Sequence, residues 1–358
     1  MATVSRKTVF ALSLILVIIS FACKAKPSPE PTLTESPHTL TPTVEPTPTP
    51  YPTLIPQLES NCPSGGWTQY TEQDGLADNW PSALEVDNDG RVLVGYFLGE
   101  ISLFHNKVWT SMPPEPQSPS NQVTSIMNIE NGDIWAGTQL GYIAHYRSGD
   151  WTMRSIFVEG EKTSVYDLEI APDGRVWAAT WDGIFQLQGD NWVSIGKPFD
   201  ENRLFSGKSI YLDREGGLWV GARYGLHYFL NGGWIPITTT FEPIYEVLAI
   251  EEDQFGNLWF GYMGGVLVFD GDIWKHVYPP EDTNEQDSAW TRVESLAIGP
   301  DGQVWVIGSQ KAVVYENGIW QPVSPGVGSP DIQLFNVDVD PWGAVWFTSN
   351  EGVLCYNP

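Results

Sequence analysis

The chain has few cysteines, few basic residues and no apolar run long enough for a permanent membrane helix. Of its 358 residues only three are Cys and 18 are Lys or Arg, against 44 Asp or Glu. Residues 1–60 hold four charges of each sign, so the net charge of −26 lies on residues 61–358. So acidic a surface repels phosphate backbones and argues against nucleic acid as a partner. Cationic groups, metal ions and neutral sugars are more compatible ligands for such a surface, although a role in solubility alone also explains the charge.

The first sixty residues have the pattern of an export signal followed by a tether. Residues 1–7 are positively charged, and the apolar run at 8–22 is shorter than the roughly 20 residues needed to span a bilayer. Pro and Thr dominate from residue 24 to residue 60, where no apolar period exists and no core can form. The sequence therefore predicts a signal peptide at 1–22, a disordered tether at 23–60 and a folded domain at 61–358.

The end of the apolar run, Ser20-Phe21-Ala22-Cys23, resembles the lipobox of bacterial lipoproteins. In that motif a small residue precedes a Cys that is lipidated and becomes the mature N-terminus. Ala22 and Cys23 match it, whereas Ser20 replaces the usual Leu and Phe21 the usual small residue. The resemblance implies lipidation at Cys23 and a protein held outside the cytoplasm, with the cell membrane as a partner through its lipid anchor. The alternative is an uncleaved N-terminal membrane anchor, which also places the remaining chain outside.

From residue 67 onward the sequence repeats itself every 40–46 residues. Each repeat is marked by a Trp, and the seven markers are Trp67, Trp109, Trp151, Trp192, Trp234, Trp274 and Trp320. Between two markers lie an alternating apolar run, a Gly-containing turn, a second strand that usually carries its own Trp, and a third strand. A period of this length with four short strands is typical of a propeller blade.

The two ends of the repeat region complement each other. The first marker strand has no three strands before it, and the last repeat stops after its third strand. We therefore expect an all-β, seven-bladed β-propeller with four antiparallel strands per blade, in which the N-terminal strand closes the last blade. Cys62 and Cys355 flank this seam, so outside the cytoplasm they are candidates for a disulfide; two unpaired thiols are the alternative.

The repeats are similar to one family of bacterial propellers. Residues 165–184, VYDLEIAPDGRVWAATWDGI, resemble the two-component regulator propeller repeat, as do NQVTSI at 121–126 and GDIWAGT at 132–138. The resemblance covers nearly all of residues 67–358 and implies a sensor-type, ligand-binding propeller outside the cytoplasm. Such sensors usually continue into a membrane helix and a kinase, whereas this sequence stops at Pro358, so we expect any signal to pass to another protein.

A weaker resemblance points to streptogramin lyase, another seven-bladed propeller. Residues 257–260, NLWF, look like a strand motif of that family. The family usually follows the motif with Thr-Glu, where this chain has Gly261 and Tyr262. No arrangement of His and Glu can be carried over from it.

The candidate ligand site lies where the loops between second and third strands meet the loops that enter the first strands. In a propeller both loop classes open on the face that usually holds the central pocket. Aromatic rings beside amides and carboxylates suit stacking on sugars or capture of an ammonium group, although simple loop packing is the alternative. The predicted ligand-binding residues are Trp80, Phe97, Gln139, Trp181, Asp182, Arg223, Tyr224, Tyr262, Met263, Trp290, Gln310 and Asn350.

Catalysis finds little support in the sequence. There is no metal-ligand spacing of His and no Gly-x-Ser-x-Gly elbow, and the acidic loop at 276–291 lacks calcium-loop spacing. We therefore expect no catalytic residue, metal or cofactor, and a monomeric, non-enzymatic module that binds or senses an unknown ligand, carbohydrate included, or a membrane protein. The alternatives are a carbohydrate-active hydrolase or lyase that uses paired carboxylates, and a protein-interaction scaffold without a small ligand.

Overall fold

The computed structural model describes residues 59–112, 121–128, 132–171, 173–198, 205–235, 237, 239, 244–277 and 292–358. The predictions for the signal peptide, for Cys23 and for most of the tether fall on residues 1–58 and lie outside this part of the chain. Trp290 and most of the acidic loop also lie outside it. The chain divides into the units Met1–Leu54 and Ile55–Pro358, and the described fold belongs to the second. No helix among the described residues is long and apolar enough to cross a membrane.

The described residues form seven four-stranded antiparallel sheets, the blades of a propeller. The chain begins with β1 (Gly66–Tyr70) and a 3-10 helix (Glu72–Asp74). Blade 1 contains β2 (Pro81–Val86), β3 (Val92–Tyr96), β4 (Ile101–His105) and β5 (Val108–Met112). Blade 2 contains β6 (Val123–Asn128), β7 (Ile134–Thr138), β8 (Tyr142–Arg147) and β9 (Asp150–Ser155). A small hairpin, β10 (Phe157–Val158) and β11 (Glu161–Lys162), follows it.

The remaining blades repeat this order. Blade 3 contains β12 (Val165–Ile170), β13 (Val176–Thr180), β14 (Ile184–Gln188) and β15 (Asn191–Ser194). Blade 4 contains β16 (Gly207–Leu212), β17 (Leu218–Ala222), β18 (Gly225–Leu230) and β19 (Gly233–Ile235). Blade 5 contains β20 (Ala249–Glu252), β21 (Leu258–Tyr262), β22 (Gly265–Phe269) and β23 (Trp274–Val277). Blade 6 contains β24 (Val293–Ile298), β25 (Val304–Gly308), β26 (Lys311–Glu316) and β27 (Ile319–Val323). Blade 7 contains β28 (Leu334–Val339), β29 (Val345–Ser349) and β30 (Gly352–Asn357).

The N-terminal strand completes blade 7, which confirms the predicted closure. Strand β1 pairs antiparallel with β30, placing Trp67 opposite Tyr356 and Thr68 opposite Cys355. A disulfide joins Cys62 to Cys355 across this seam, with their Cα atoms 6.0 Å apart. The ring is therefore closed both by a hydrogen-bonded ladder and by a covalent bond between residues 293 positions apart.

The cores between blades come from the second strands. Each of these strands has a neighbour on both sides within its sheet and faces another blade, so all five residues of β13 are buried. Its Trp177 packs in one cluster with Ile210, Leu218 and Val220 of blade 4. Burying a large apolar side chain contributes roughly 1.5–3 kcal/mol, so one Trp per repeat is a major part of each core. In blade 1 the fully buried Leu93 takes this place.

Four of the turns from first to second strands share one device, in which the side chain of Asp87, Asp213, Asp253 or Asp340 holds the turn together. The carboxylate of Asp253 accepts hydrogen bonds from the backbone N–H groups of Phe255 and Asn257, both at 2.9 Å, and from the indole of Trp259 at 3.1 Å. Gly256 has a φ of 87°, which its missing side chain permits. The acidic turns of this sequence are thus explained by local structure.

Candidate functional site

A central cavity of about 470 Å³ runs between the blades. Residues of all seven first strands line it, so we call these the innermost strands: β2, β6, β12, β16, β20, β24 and β28. Adjacent innermost strands contact one another around the ring. We call the opening at their N-terminal ends the mouth.

Bulges in the innermost strands aim side chains at the mouth. The pairing of β12 with β13 skips Tyr166, and the pairing of β16 with β17 skips Lys208. The same irregularity occurs in β2, β6, β24 and β28. A bulge leaves one residue out of the ladder and turns its side chain, a device that is common beside binding sites. The bulged residues that line the cavity are Thr124, Tyr166, Lys208 and Glu294, and Leu248 lies at the corresponding place in blade 5, just before β20.

Lys208 lies among aromatic rings at the mouth. Its Nζ atom is 3.5 Å from the centroid of the Tyr166 ring and 5.8 Å from that of Trp181. The two rings are themselves 6.5 Å apart. Burial, and to a smaller extent repulsion from Arg292 and Arg223, lowers the pKa of Lys208, against an opposing attraction to Glu246.

Deeper in the cavity four carboxylates occupy one level, which we call the acid ring: Glu85, Glu169, Glu251 and Asp338. Each lies opposite the buried large residue of the second strand: Leu93, Trp177, Trp259 and Trp346, respectively. The three other blades place Met127, Tyr211 and Ala297 at the same register. The same position of the repeat therefore carries an acid in four of the seven blades.

Burial and mutual repulsion raise the pKa values of these acids. Burial, with some repulsion from Asp167, raises the pKa of Glu169 to about 8, and burial raises that of Asp338 to about 7. The pKa values of Glu85 and Glu251 are also well above the usual range, because burial is joined by repulsion from Asp338 and Glu169. Near neutral pH the raised pKa values favour the protonated form of these carboxyls, which suits them to proton transfer.

Some of the acids also connect adjacent blades. The carboxylate of Asp167 accepts a hydrogen bond from the N–H of Ile210 in blade 4 at 2.9 Å, and Glu169 accepts one from Leu212 at 3.2 Å. Asp338 of blade 7 accepts one from Val86 of blade 1 at 2.6 Å. No group of three or more His, Cys, Asp or Glu side chains in the described part of the chain is arranged to hold a metal ion. Part of the ring's role is thus structural.

The two predicted loop classes do meet on one face. The backbone N–H of Trp181 donates to the carbonyl of Ser164 at 3.0 Å, and that of Arg223 donates to Ser206 at 2.9 Å. Equivalent bonds run from Gln139 to Gln122 and from Asn350 to Gln333. In these four blades the loop after the second strand is therefore fastened to the segment that enters the first strand of the same blade, beside the mouth.

The predicted ligand-binding residues form an outer rim on this face. Exposed side chains among them are Trp80, Phe97, Gln139, Trp181, Arg223, Tyr224, Met263 and Gln310, while Asp182 and Asn350 are half-buried. Tyr262 is instead 7% exposed, and its hydroxyl hydrogen-bonds to Nε2 of His276 at 2.8 Å. None of the described members of this set lines the central cavity, and Gln139 lines a separate one of about 430 Å³ beside Phe157 and Lys162.

Sequence reasoning missed the residues that line the cavity itself. The signal was present, because each member of the acid ring stands eight positions before the buried large residue of its second strand. A carboxylate that faces the buried large residue of the next strand is unusual enough to mark a site. Lys208 and Tyr166 are harder to find, since their orientation depends on bulges that the repeat pattern does not reveal.

No protein-family model matches this chain, and no curated protein matches it in sequence. Several solved structures, however, are similar to it in fold. Virginiamycin B lyase from Staphylococcus aureus aligns with 81% of this chain and 97% of its own, with 16% identity and a TM-score of 0.65. A catalytically inactive histidine-to-alanine variant of that lyase, with quinupristin, covers 82% and 99%, with 13% identity and a TM-score of 0.68.

Sensor domains are similar to a comparable degree. The extracellular domain of a hybrid two-component system from B. thetaiotaomicron aligns with 84% of this chain and 42% of its own, with 17% identity and a TM-score of 0.67. At these identities the matches establish the fold, a propeller that serves extracellular sensors and lyases alike.

These matches correct one expectation. The sequence led us to expect a protein that is not an enzyme. The solved structures with the same propeller nevertheless include virginiamycin B lyase, an enzyme that aligns with this chain over nearly its whole length. The missing His and Ser motifs were a poor guide, because a propeller can bring acids from different blades into one cavity. Enzymatic function is therefore a candidate for this fold.

Proposed function

We propose that the protein is an extracytoplasmic binding or sensing module that takes a small organic ligand into the mouth of its central cavity. The observation that carries this proposal is the cavity of about 470 Å³, with bulged side chains of different chemistry directed at its opening. Pockets of roughly 300–1,000 Å³ with a few polar groups are the usual size for small-molecule sites. The extracellular sensor domains that share the fold support it.

We further propose that the module is anchored to the outer side of a membrane through Cys23. The supporting features are the export signal and lipobox-like sequence, and the Cys62–Cys355 disulfide, which suits an oxidising compartment. Labelling of cells with a clickable fatty acid tests this part. Lipid should be incorporated into the parent protein and not into a Cys23→Ala variant; equal labelling of both would refute the anchor.

A ligand screen with a blocked mouth tests the binding function. Full-length protein is screened by thermal shift against oligosaccharides, amines and carboxylic acids, beside a Leu248→Trp variant. Leu248 lines the cavity at the mouth, so an indole there narrows the opening. The matched control is Ile273→Trp, which adds the same group to a side chain 55% exposed in the turn between β22 and β23, outside the cavity.

The expected result is a ligand that stabilises the parent and the Ile273→Trp control but not Leu248→Trp. At a ligand concentration of about 100 times Kd the stabilisation is roughly 2.7 kcal/mol, which is easily measured. A ligand that stabilises all three proteins equally binds elsewhere. If no compound stabilises the parent, the small-molecule function is wrong and a protein partner at the rim takes its place.

A second candidate function is acid–base catalysis in the same cavity. The observation that favours it is the acid ring, whose raised pKa values suit proton transfer near neutral pH. The inactive lyase variant lacks a histidine, whereas the described residues that line this cavity include none, so catalysis here would depend on the carboxylates. Quinupristin is the first substrate to try, followed by mass spectrometry of the products. Turnover that is lost in Glu251→Gln supports the candidate, and unchanged quinupristin removes this substrate.

A further inference from the structure

One sector of the mouth has a concentration of positive charge. Residues 61–358 carry only 14 Lys or Arg against 40 Asp or Glu. Three of those 14, Lys208, Arg223 and Arg292, are close enough for both arginines to influence the ionisation of Lys208. In so acidic a domain, three cations grouped beside a cavity call for a physical reason.

The backbone holds these cations beside one another. The N–H of Arg223 donates to the carbonyl of Ser206 at 2.9 Å, two residues before Lys208. The N–H of Glu246 in turn donates to the carbonyl of Arg223 at 3.1 Å. Nε of Arg292 is 3.6 Å from a carboxylate oxygen of Glu246. Glu246, which also attracts Lys208, is therefore paired with Arg292.

Lys208 is not paired with a carboxylate within the described part of the chain. Among the described residues its ammonium makes neither an ion pair nor a hydrogen bond, and its neighbours are the faces of Tyr166 and Trp181. A half-buried ammonium has lost part of its water shell, and ring faces replace it only partly. An anion placed at the mouth would supply the missing interaction. The lowered pKa of Lys208 agrees with this incomplete compensation.

A surface for an uncharged part of the ligand lies next to the cation. The Trp181 side chain is 37% exposed on the loop that borders the mouth. The acid ring lies deeper along the same cavity, and its ionised members repel anions, so an anionic group is more stable at the mouth than in the channel. An anion on Lys208 and a ring on Trp181 are compatible with one compact ligand.

We propose that this sector is a subsite for a carboxylate-bearing, ring-containing ligand, with the carboxylate bound by Lys208, Arg223 and Arg292 and the ring stacked on Trp181. The inference rests on the proposed binding function and specifies its ligand class. It also reverses the expectation from the net charge, which favoured cationic guests. Because the ammonium of Lys208 contacts aromatic rings and is not paired with a carboxylate among the described residues, a carboxylate of the ligand is the group that complements it.

The experiment follows Lys208 directly. Full-length protein in detergent is methylated reductively with ¹³C-formaldehyde, and the signals of its nine lysines are recorded by NMR. The Lys208 signal is assigned by its absence in a Lys208→Arg variant. Benzoate is titrated as the probe, with neutral benzyl alcohol and cationic benzylamine as probes of the same ring. Thermal shift with benzoate is measured in parallel on Lys208→Met and on Lys162→Met.

Lys162 provides a matched control on the same face. Its Nζ atom is 3.6 Å from the ring centroid of Tyr142, so it too is a lysine over an aromatic ring, but it lines the separate cavity. Benzoate should shift the Lys208 signal and raise its pKa, with a Kd on the order of 1–10 mM for so small a ligand. Stabilisation by benzoate should fall at least about fivefold in Lys208→Met, as expected when a charge-assisted contact is lost, and persist in Lys162→Met.

Three results would overturn the subsite. They are an unmoved Lys208 signal with benzoate in this range, an equally strong shift with benzylamine or benzyl alcohol, and binding of benzoate to Lys208→Met that is as tight as binding to the parent. These outcomes differ from failure of the binding function itself. A neutral or cationic ligand that requires an open mouth at Leu248 would refute only the carboxylate subsite, whereas absence of any such ligand would remove both.

Discussion

Replacing Glu169 by Gln should stabilise the propeller at high pH and leave it unchanged at low pH. The substitution keeps the shape of the side chain and an oxygen that can accept the hydrogen bond from the N–H of Leu212, which is 3.2 Å long. What it removes is the charge. In the folded protein burial, then repulsion from Asp167, raises the pKa of Glu169 from 4.5 to about 8.

The sign of the effect follows from proton binding. Between pH 4.5 and about 8 the folded state binds the proton more tightly than the unfolded state does, so stability falls as pH rises through this range. Each pKa unit corresponds to 1.36 kcal/mol, so the shift sets an upper limit of about 5 kcal/mol. Because the cavity is open at its mouth, water screens the charge, and a gain of about 2 kcal/mol at pH 9 is the realistic expectation.

Urea unfolding of the parent and of Glu169→Gln at pH 4 and pH 9 measures this difference. At pH 4 the carboxyl is mostly protonated in both states, so the two proteins should have nearly equal free energies of unfolding. The control is Glu215→Gln, which removes an exposed charge and should change stability by less than about 0.5 kcal/mol at either pH. A loss of stability in Glu169→Gln at pH 9, or an equal change at both pH values, would refute the reasoning.

Three further predictions concern the frame of the propeller. Cys62→Ser should lower the free energy of unfolding by about 4 kcal/mol under non-reducing conditions, because the disulfide closes nearly the whole ring; an unchanged melting temperature would contradict this. Gly221→Ala should cost about 1–3 kcal/mol in urea unfolding, since its added methyl would lie 2.6 Å from the backbone carbonyl oxygen of Val247; a stabilised variant would show that the strands can separate there. Asp253→Ala should cost about 3 kcal/mol, because several N–H groups of its turn and the indole of Trp259 lose their acceptor; a change below about 1 kcal/mol would mean that water replaces it.

Much of the fold could be predicted because its signals are local and repeated. The marker Trp, the Asp-Gly turn and the buried Trp of the second strand recur in order, so strand number and blade number follow from counting. The surplus strand at Trp67 and the missing strand after Asn357 predicted the closure, which the pairing of β1 with β30 confirms. Off-pattern residues were less informative: Trp342 packs against Gly90 of the neighbouring turn and has a structural explanation.

The candidate site was predicted only in outline. The loops that border the mouth could be chosen from their place in the repeat, because propeller topology brings them to one face. The residues that line the cavity could not, since Tyr166 and Lys208 lie within strands and reach the mouth only through bulges. A bulge depends on how two strands pair, which a single strand sequence does not specify.

By itself, the sequence determined the number of blades, their strand order and the closing strand, because alternation, turn chemistry and period are properties of neighbouring residues. Only the tertiary structure decided the chemistry of the centre. Acids spread from Glu85 to Asp338 meet at one level because seven innermost strands share an axis. Their burial and proximity raise their pKa values, and the same geometry places the ammonium of Lys208 over the ring of Tyr166. Such effects depend on distances across the ring, and those distances exist only once the ring has closed.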